Sequence, residues 1–297
     1  MRIVVRQMSG LGNQLFQYAA GLYYAQRYRA KLEIAINPIG QAVSHRSPRP
    51  YQLSQFTITA PTHKTGPFER LMQTGNPRLK PAGAILRKLL NVNLVEEPMQ
   101  YRFYPDLPGA ITADNIYIRG YWQAAQYAET VATRLRSDLK LREEASEKNA
   151  AVLKLIQNSS NPVSLHVRRG DYLLATEGSL ALTLAYYQAA IGIVQASRTD
   201  TSLFVFSDDI KFARENLPRD IHTTFVDHND AWTGYEDLRL MSACKHNIIA
   251  NSSFSWWAAW LNPHREKIVI APKYWLCTRD SHYPDLYPVN WMLIDNV

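Results

Sequence analysis

The sequence predicts an α/β protein built on parallel sheets, and three observations predict it. Between residues 163 and 271, short apolar runs alternate with amphipathic stretches. That is the pattern of a parallel sheet covered by helices on both faces. The chain opens in the same way, with an apolar strand at 2–5, a glycine-bearing turn and an amphipathic stretch at 15–29. At 297 residues it is about twice the size of an average domain, so two such units are expected.

The elements follow in order. Within 15–29, Leu15, Phe16, Ala19, Ala20, Leu22 and Tyr23 recur at three- and four-residue spacing and mark one helix face. Residues 31–36 form a second strand. The segment 37–65 is rich in Pro, Ser, Gln and Thr and contains the basic run His45-Arg46-Ser47-Pro48-Arg49-Pro50. It is expected to be a long functional loop or lid with little regular structure. A helix at 82–90, a strand at 115–120 and a helix at 124–141 come next. The polar stretch 157–162 breaks the pattern and places a boundary there, giving domains at 1–157 and 158–297. In the second domain, strands at 163–167, 202–206, 221–226, 246–250 and 267–271 alternate with helices at 183–196, 210–217, 235–243 and 254–261.

Composition narrows the function classes. With 46% hydrophobic and 20% charged residues, the chain is neither disordered nor of low complexity. Two cysteines, Cys244 and Cys277, exclude a disulfide framework or a cysteine-rich zinc module and fit a reducing compartment. The opening strand does not read as a signal peptide, and no long apolar window spans a membrane. A soluble cytoplasmic protein is the expectation. Lys and Arg total 33 against 26 Asp and Glu, a net charge of +7. That excess suggests an anionic partner: nucleic acid, a membrane surface or a phosphate-bearing small molecule.

Ligands of parallel α/β sheets bind beyond the carboxyl ends of the strands, and three clusters sit there. In Ser164-Leu165-His166-Val167-Arg168-Arg169-Gly170-Asp171, strand alternation puts Ser164, His166 and Arg168 on one face. Arg168 is the natural phosphate clamp, because guanidinium gives permanently charged, bidentate hydrogen bonds. A structural Arg–Asp pair on a surface loop would give the same pattern, and Arg169 is assigned such a structural role. In Phe206-Ser207-Asp208-Asp209, the carboxylates could hold a metal through a nucleotide or accept hydrogen bonds from a base or ribose, and the plainer reading is that Ser207 or Asp208 caps the next helix. Asn251-Ser252-Ser253-Phe254-Ser255-Trp256-Trp257 opens a helix directly after a strand, where free N–H groups and the dipole suit an anion. A plain cap with a buried aromatic face is the alternative. The fourth cluster, Ser9-Gly10-Leu11-Gly12-Asn13-Gln14, lacks the third glycine of a dinucleotide fingerprint, since Leu15 stands there. Its glycines suggest a tight turn that brings the Asn13 and Gln14 amides up to a bound molecule.

Together, and in this order, the four clusters resemble the α-1,2-fucosyltransferases of glycosyltransferase family 11. Gly10-Leu11-Gly12-Asn13-Gln14-Leu15-Phe16-Gln17-Tyr18-Ala19 looks like that family's amino-terminal signature. His166-Val167-Arg168-Arg169-Gly170-Asp171 looks like the donor motif shared by α-1,2-, α-1,6- and protein O-fucosyltransferases. The 206–209 and 251–257 clusters match the remaining two motifs, and the paired tryptophans point to the α-1,2 branch. Ser9 departs slightly, since many members carry another glycine there.

The resemblance implies a GT-B fold, with two Rossmann-like domains facing across a cleft, an acceptor-side domain first and a donor-binding domain second. It implies GDP-β-L-fucose as co-substrate, inverting transfer to the 2-hydroxyl of a terminal galactose, and no metal or other cofactor. It assigns Arg168 to the pyrophosphate, His166 to the guanosine and Asp208 to the guanine N–H groups. Asn251, Ser252, Ser253 and Ser255 fall to the phosphate-binding helix start, and Asn13 and Gln14 to the reaction centre. No carboxylate lies in the amino-terminal turn, so no base is assigned. The related protein O-fucosyltransferases, with a similar Gly-Asn-Gln turn, suggest a dissociative path. Other acceptors, protein or lipid-linked glycan, stay open, as does peripheral attachment at an inner membrane face. A non-catalytic module binding RNA or an anionic glycan is opposed by the order of the motifs, and a degenerate homologue by their intactness. Nucleic acid is therefore not an expected partner.

Overall fold

The computed structural model describes residues 1–36, 50–174, 180–218 and 221–297. The chain divides into two compact units, Met1–Arg142 and Glu143–Val297. Residues 37–49 of the segment expected to be a lid, including its basic run up to Arg49, lie outside the described residues.

The first unit starts with β1 (Arg2–Gln7), α1 (Leu11–Arg27) and β2 (Lys31–Ile36). Then come β3 (Thr62–Lys64), α2 (Pro67–Met72), α3 (Lys80–Leu89), β4 (Val92–Glu96) and β5 (Asn115–Arg119). It closes with α4 (Ala125–Thr130) and α5 (Ala132–Asp138). The five strands are ordered β3-β2-β1-β5-β4, all parallel. Residues 50–65 thus carry more order than their composition suggested: a 3-10 turn at Leu53–Gln55 and the edge strand β3. The expected single helix at 124–141 is two, because the backbone leaves helical geometry at Val131 (φ −108°, ψ 21°).

The second unit begins with α6 (Glu147–Asn158), β6 (Asn161–Val167), α7 (Leu184–Ser197) and β7 (Thr201–Ser207). It continues through α8 (Ile210–Asn216), β8 (Thr223–Val226), α9 (Gly234–Ala243) and β9 (His246–Ile248). It ends with α10 (Ser253–Leu261), β10 (Val269–Pro272) and β11 (Met292–Ile294). The parallel order is β11-β10-β9-β6-β7-β8. Val163, Leu165 and Val167 enter one core with Tyr186, Tyr187, Ile191 and Val205. Ser164 and His166 on the opposite face are buried as well. That is what a sheet covered on both sides requires.

The boundary therefore lies earlier than the polar break at 157–158. The physical reason is α6. Its Asn149 donates from Nδ2 to Asn229 Oδ1 at 3.0 Å and contacts His228 Nε2 through Oδ1 at 2.8 Å, which fastens the helix to the second unit. Among the described residues, no helix is long and apolar enough to cross a membrane.

Candidate functional site

The strand order of the second unit reverses beside β6. The chain runs β6, β7, β8 outward on one side, then returns to β9 on the other. At such a switch point the loops after the two central strands part and leave a crevice. Here those loops are 168–171, after β6, and 249–252, after β9. Two of the sequence clusters meet there, and the third reaches them through Asp208.

Arg168 is held from two sides. Its Nη2 donates to Asp171 Oδ1 at 2.6 Å, and its Nη1 pairs with Asp208 Oδ2 at 2.9 Å. The guanidinium carbon also lies 5.4 Å from the Tyr172 ring centre. The second oxygen of Asp208 accepts the Arg169 backbone N–H at 2.8 Å, so this carboxylate fastens the whole turn. Gly170 is required for that approach: a Cβ there would sit 2.6 Å from Asp208 Oδ2. Arg169 turns away, stacking 3.5 Å over the Phe212 ring and pairing with Asp209 at 3.3 Å, the structural placement its alternation on the strand implies.

The helix after β7 is capped by neither Ser207 nor Asp208. Asp209 caps it, accepting the Phe212 N–H at 3.1 Å, while Ser207 Oγ accepts the Asp209 N–H at 2.9 Å. Both carboxylates of the pair are therefore engaged with arginines and backbone.

His166 is buried against Phe254, ring centres 5.7 Å apart, which ties β6 to the start of α10. Burial, and then the charge of Arg168, lowers its pKa to about 3, so the ring is neutral. Its Nδ1 is buried with no hydrogen-bond partner among the described residues.

The start of α10 splits the last cluster by role. Ser252 is the cap, accepting the Phe254 N–H at 3.4 Å, and Ser253 is the first helical residue. Asn251 and Ser255, both expected at the phosphates, turn inward instead. Asn251 Nδ2 donates to the carbonyls of Leu180 and Trp275, each at 2.9 Å, and its own carbonyl accepts Tyr172 Oη–H at 3.0 Å. Ser255 is fully buried and donates to Ser252 O at 3.3 Å and Ala250 O at 3.4 Å. Their side chains brace the loop whose backbone forms the site. The tryptophans pack inward as expected, with Trp256 Nε1 donating to Leu286 O at 2.9 Å.

In the first unit the order reverses beside β1, whose other neighbour is β5. Gly10 caps α1 and its carbonyl accepts the N–H groups of Asn13 and Gln14, each at 3.0 Å. Ser9 sits at φ 65°, in the left-handed region that glycine tolerates best. Asn13 Oδ1 accepts Gln123 Nε2–H at 2.6 Å, joining the first turn of α1 to the loop after β5. Gln14 is not presented to a ligand. It is buried, donates to Ser9 O at 2.9 Å and Pro50 O at 2.8 Å, and accepts the Gln52 N–H at 3.0 Å.

Known proteins similar to this chain agree with its two-unit fold. The family model described as glycosyl transferase family 11 matches residues 99–295. The O-antigen biosynthesis glycosyltransferase WbnK of Escherichia coli is 30% identical over 280 residues, covering 90% of this chain and 92% of the relative. An alpha-1,2-colitosyltransferase of Escherichia coli is 28% identical over 303 residues, covering 99% of both. Among solved structures, NodZ alpha-1,6-fucosyltransferase co-crystallized with GDP has a TM-score of 0.52 at 18% identity over 88% of this chain and 92% of that one. POFUT1 in complex with GDP-fucose has a TM-score of 0.54 at 13% identity, over 90% and 97%. The fold is thus GT-B, built from two Rossmann-like parallel-sheet units.

Proposed function

The chain belongs to glycosyl transferase family 11, and from that premise we propose that it transfers L-fucose from GDP-β-L-fucose to the 2-hydroxyl of a terminal galactose, inverting the anomeric carbon. The observation that carries the reading is Arg168, fixed by Asp171 and Asp208 at the switch point beside the start of α10. A guanidinium locked before the substrate arrives suits the diphosphate of a departing nucleotide. It meets the charge that grows as the bond from the sugar carbon to the phosphate oxygen breaks, with little reorganisation left to make.

The other roles follow from position. The N–H groups at the start of α10, with Ser252 and Ser253, face the phosphates. Neutral His166 and Phe254 form the apolar floor beneath the guanosine. Asp208 acts through Arg168 rather than through the guanine. Asn13, steadied by Gln123, is the amino-terminal residue assigned to the acceptor hydroxyl. Asp208 and Asp209 are paired with Arg168 and Arg169, and the charge a metal would neutralise is met by Arg168, so transfer is proposed to need no divalent cation. GDP-colitose is the competing donor, on the strength of the relative named for colitosyl transfer.

Calorimetric titration with GDP and GDP-fucose, with and without EDTA, tests this. Binding that survives EDTA, together with fucosylation of a galactose-terminated acceptor, is the expected result. In Arg168→Ala, turnover falls by about a hundredfold or more, the scale of removing one preorganised transition-state donor, while the thermal midpoint stays near wild type. Near-normal turnover in the variant would remove Arg168 from the mechanism. Turnover with GDP-colitose but not GDP-fucose would reassign the donor.

Attachment to an anionic membrane face completes the reading. Its support is α3, whose outward side carries Ile85 and Leu89, 63% and 76% exposed. Phe68, Leu79 and Leu90 are exposed nearby, among Arg70, Arg78, Lys80 and Lys88. Apolar side chains ringed by cations suit an interface of acyl chains and acidic headgroups. The protein is expected to sediment with phosphatidylglycerol vesicles and not with phosphatidylcholine alone. Equal recovery in the supernatant with both would rule attachment out.

A further inference from the structure

The switch point of the first unit holds a second feature that the donor site does not use. A cavity of about 300 Å³ is lined by Arg6, Thr65, Glu69, Arg70, Gln73, Thr74, Gly75 and Arg119. Arg6 stands near the end of β1 and Arg119 at the end of the adjacent β5, so the cavity occupies the position where open parallel sheets take ligands. Its size is at the lower end of the range of small-molecule sites, roughly 300–1,000 Å³. That leaves room for one sugar or one charged group.

Charge in the cavity is one-sided. Three guanidiniums face a single lining carboxylate, Glu69, and that carboxylate is already taken. Glu69 Oε1 contacts His63 Nε2 at 2.8 Å and accepts Tyr117 Oη–H at 2.9 Å, and its Oε2 accepts the Gly66 N–H at 3.0 Å. Burial would raise the Glu69 carboxyl, but the bonds from His63, Gly66 and Tyr117 hold it below its ordinary value, as an anion. Arg119 pairs with Glu96 and donates to the Gln73 carbonyl. Among the described residues, the Arg6 side chain has only a long bond to Gln73 Oε1, at 3.5 Å. Burial, and then the charge of Arg119, lowers the Arg6 pKa. Arg119 thus has Glu96 as its anion, whereas among the described residues Arg6 has no carboxylate paired with it and stands beside a second cation, an unfavourable placement for a half-buried charge.

Hydrogen-bond capacity is left over as well. Arg6 Nε is buried with no partner among the described residues, and so is Nε2 of Gln73, a residue only 4% exposed. Natural interiors leave few such groups. Two on adjacent residues lining one cavity, both donors, call for an acceptor.

We propose that this cavity is a recognition subsite for an oxyanion, a carboxylate or phosphate, carried by the acceptor substrate. The assignment of the anion to the acceptor rests on the transferase reading above. A planar guanidinium matches the two oxygens of either group, and Gln73 supplies a neutral donor beside it. The anion could come from an acidic sugar within the acceptor glycan or from the phosphate of a lipid carrier.

The test titrates the full-length protein, saturated with GDP so that the donor site is filled, with sodium glucuronate, glucose and inorganic phosphate. At least one anion is expected to bind while glucose does not. Glucuronate binding points to an acidic sugar and phosphate binding to a phosphorylated carrier. Arg6→Gln weakens that binding by about tenfold or more, the loss of a charge-assisted hydrogen bond. Arg70→Gln, at an exposed position on α2 where folding is not at stake, weakens it as well. Binding of neither anion above glucose, or equal binding by wild type and both variants, overturns the proposal. GDP affinity, measured first, separates this outcome from failure of the donor reading. Without GDP binding, the same titrations on free protein still decide the cavity by the same variants.

Discussion

Arg168 owes its pose to what Gly170 lacks. Two carboxylates, Asp171 and Asp208, grip the guanidinium, and Asp208 can come so close only because residue 170 has no Cβ. Gly170→Ala would place a methyl group 2.6 Å from Asp208 Oδ2, and the carboxylate must withdraw. The expected result is about a tenfold loss in GDP affinity, the scale of one charged hydrogen bond, with little change in thermal midpoint, because the loop lies at the surface of the unit. Calorimetry on the variant checks it. Unchanged affinity would mean that Arg168 keeps its place without Asp208. The same reasoning separates two adjacent arginines of identical chemistry. One is aimed by carboxylates at the crevice, the other is stacked on Phe212.

At the scale of elements, the loops after β6 and β9 form one unit through their side chains. Asn251 joins the loop after β9 to the carbonyls of Leu180 and Trp275, and Tyr172 joins the loop after β6 to Asn251. Asn251→Ala removes one donor from each of the Leu180 and Trp275 carbonyls, the former keeping the weaker Cys277 Sγ–H at 3.3 Å, and is expected to destabilise the protein by about 1–3 kcal/mol, read as a lowered denaturation midpoint. Wild-type stability in that variant would show the carbonyls to be satisfied elsewhere. The alternating strands of the second unit were legible because both their faces are buried, which forces continuous apolar runs such as Leu203-Phe204-Val205-Phe206. The strands that escaped notice, β3, β4 and β11, are short or polar edges: Thr62–Lys64, Val92–Glu96 and Met292–Ile294. The Arg168 cluster was legible for a different reason, since its residues are contiguous in one strand–loop segment. Asn251 and Ser255 share that legibility as sequence, yet the turn of a side chain inward or outward is decided by tertiary partners. The Arg6 cavity had no such signal. Its parts lie at 6, 73 and 119, brought together only by the parallel pairing of β1 with β5 and the return of α2 over the sheet.

For the whole molecule, the buried titratable groups set opposing slopes of stability with pH. His166 and His246 are neutral in the fold, with pKa lowered by burial to about 3 and about 4. His246 Nδ1 accepts the Ile268 N–H at 3.0 Å, which requires the unprotonated nitrogen. The unfolded chain protonates both rings near 6.5, so their contribution is complete above that pH and is lost as pH falls toward 4 and 3. Asp237 acts in the other direction. Burial raises its carboxyl to about 7, against the bond from Asn229, with the charges of Glu236 and Asp230 adding to the rise. The unfolded chain ionises this group near 3.9. Stability is therefore lost progressively as pH rises from about 4 to about 7 and is level above. Between pH 4 and 6.5 two rings oppose one carboxyl, so wild-type stability still rises with pH there, at about half the slope the histidines alone would give. Asp237→Asn keeps the Asn229 contact and removes the titration. Relative to wild type it should be more stabilising at pH 8 than at pH 5, and its thermal midpoint should climb steadily from pH 4 to 7 under the histidines alone. Parallel melting curves for the two proteins across that range check the sign. A variant whose difference from wild type is the same at pH 5 and pH 8 would mean that Asp237 is already ionised in the fold at pH 5, its charge met by Asn229 and α6.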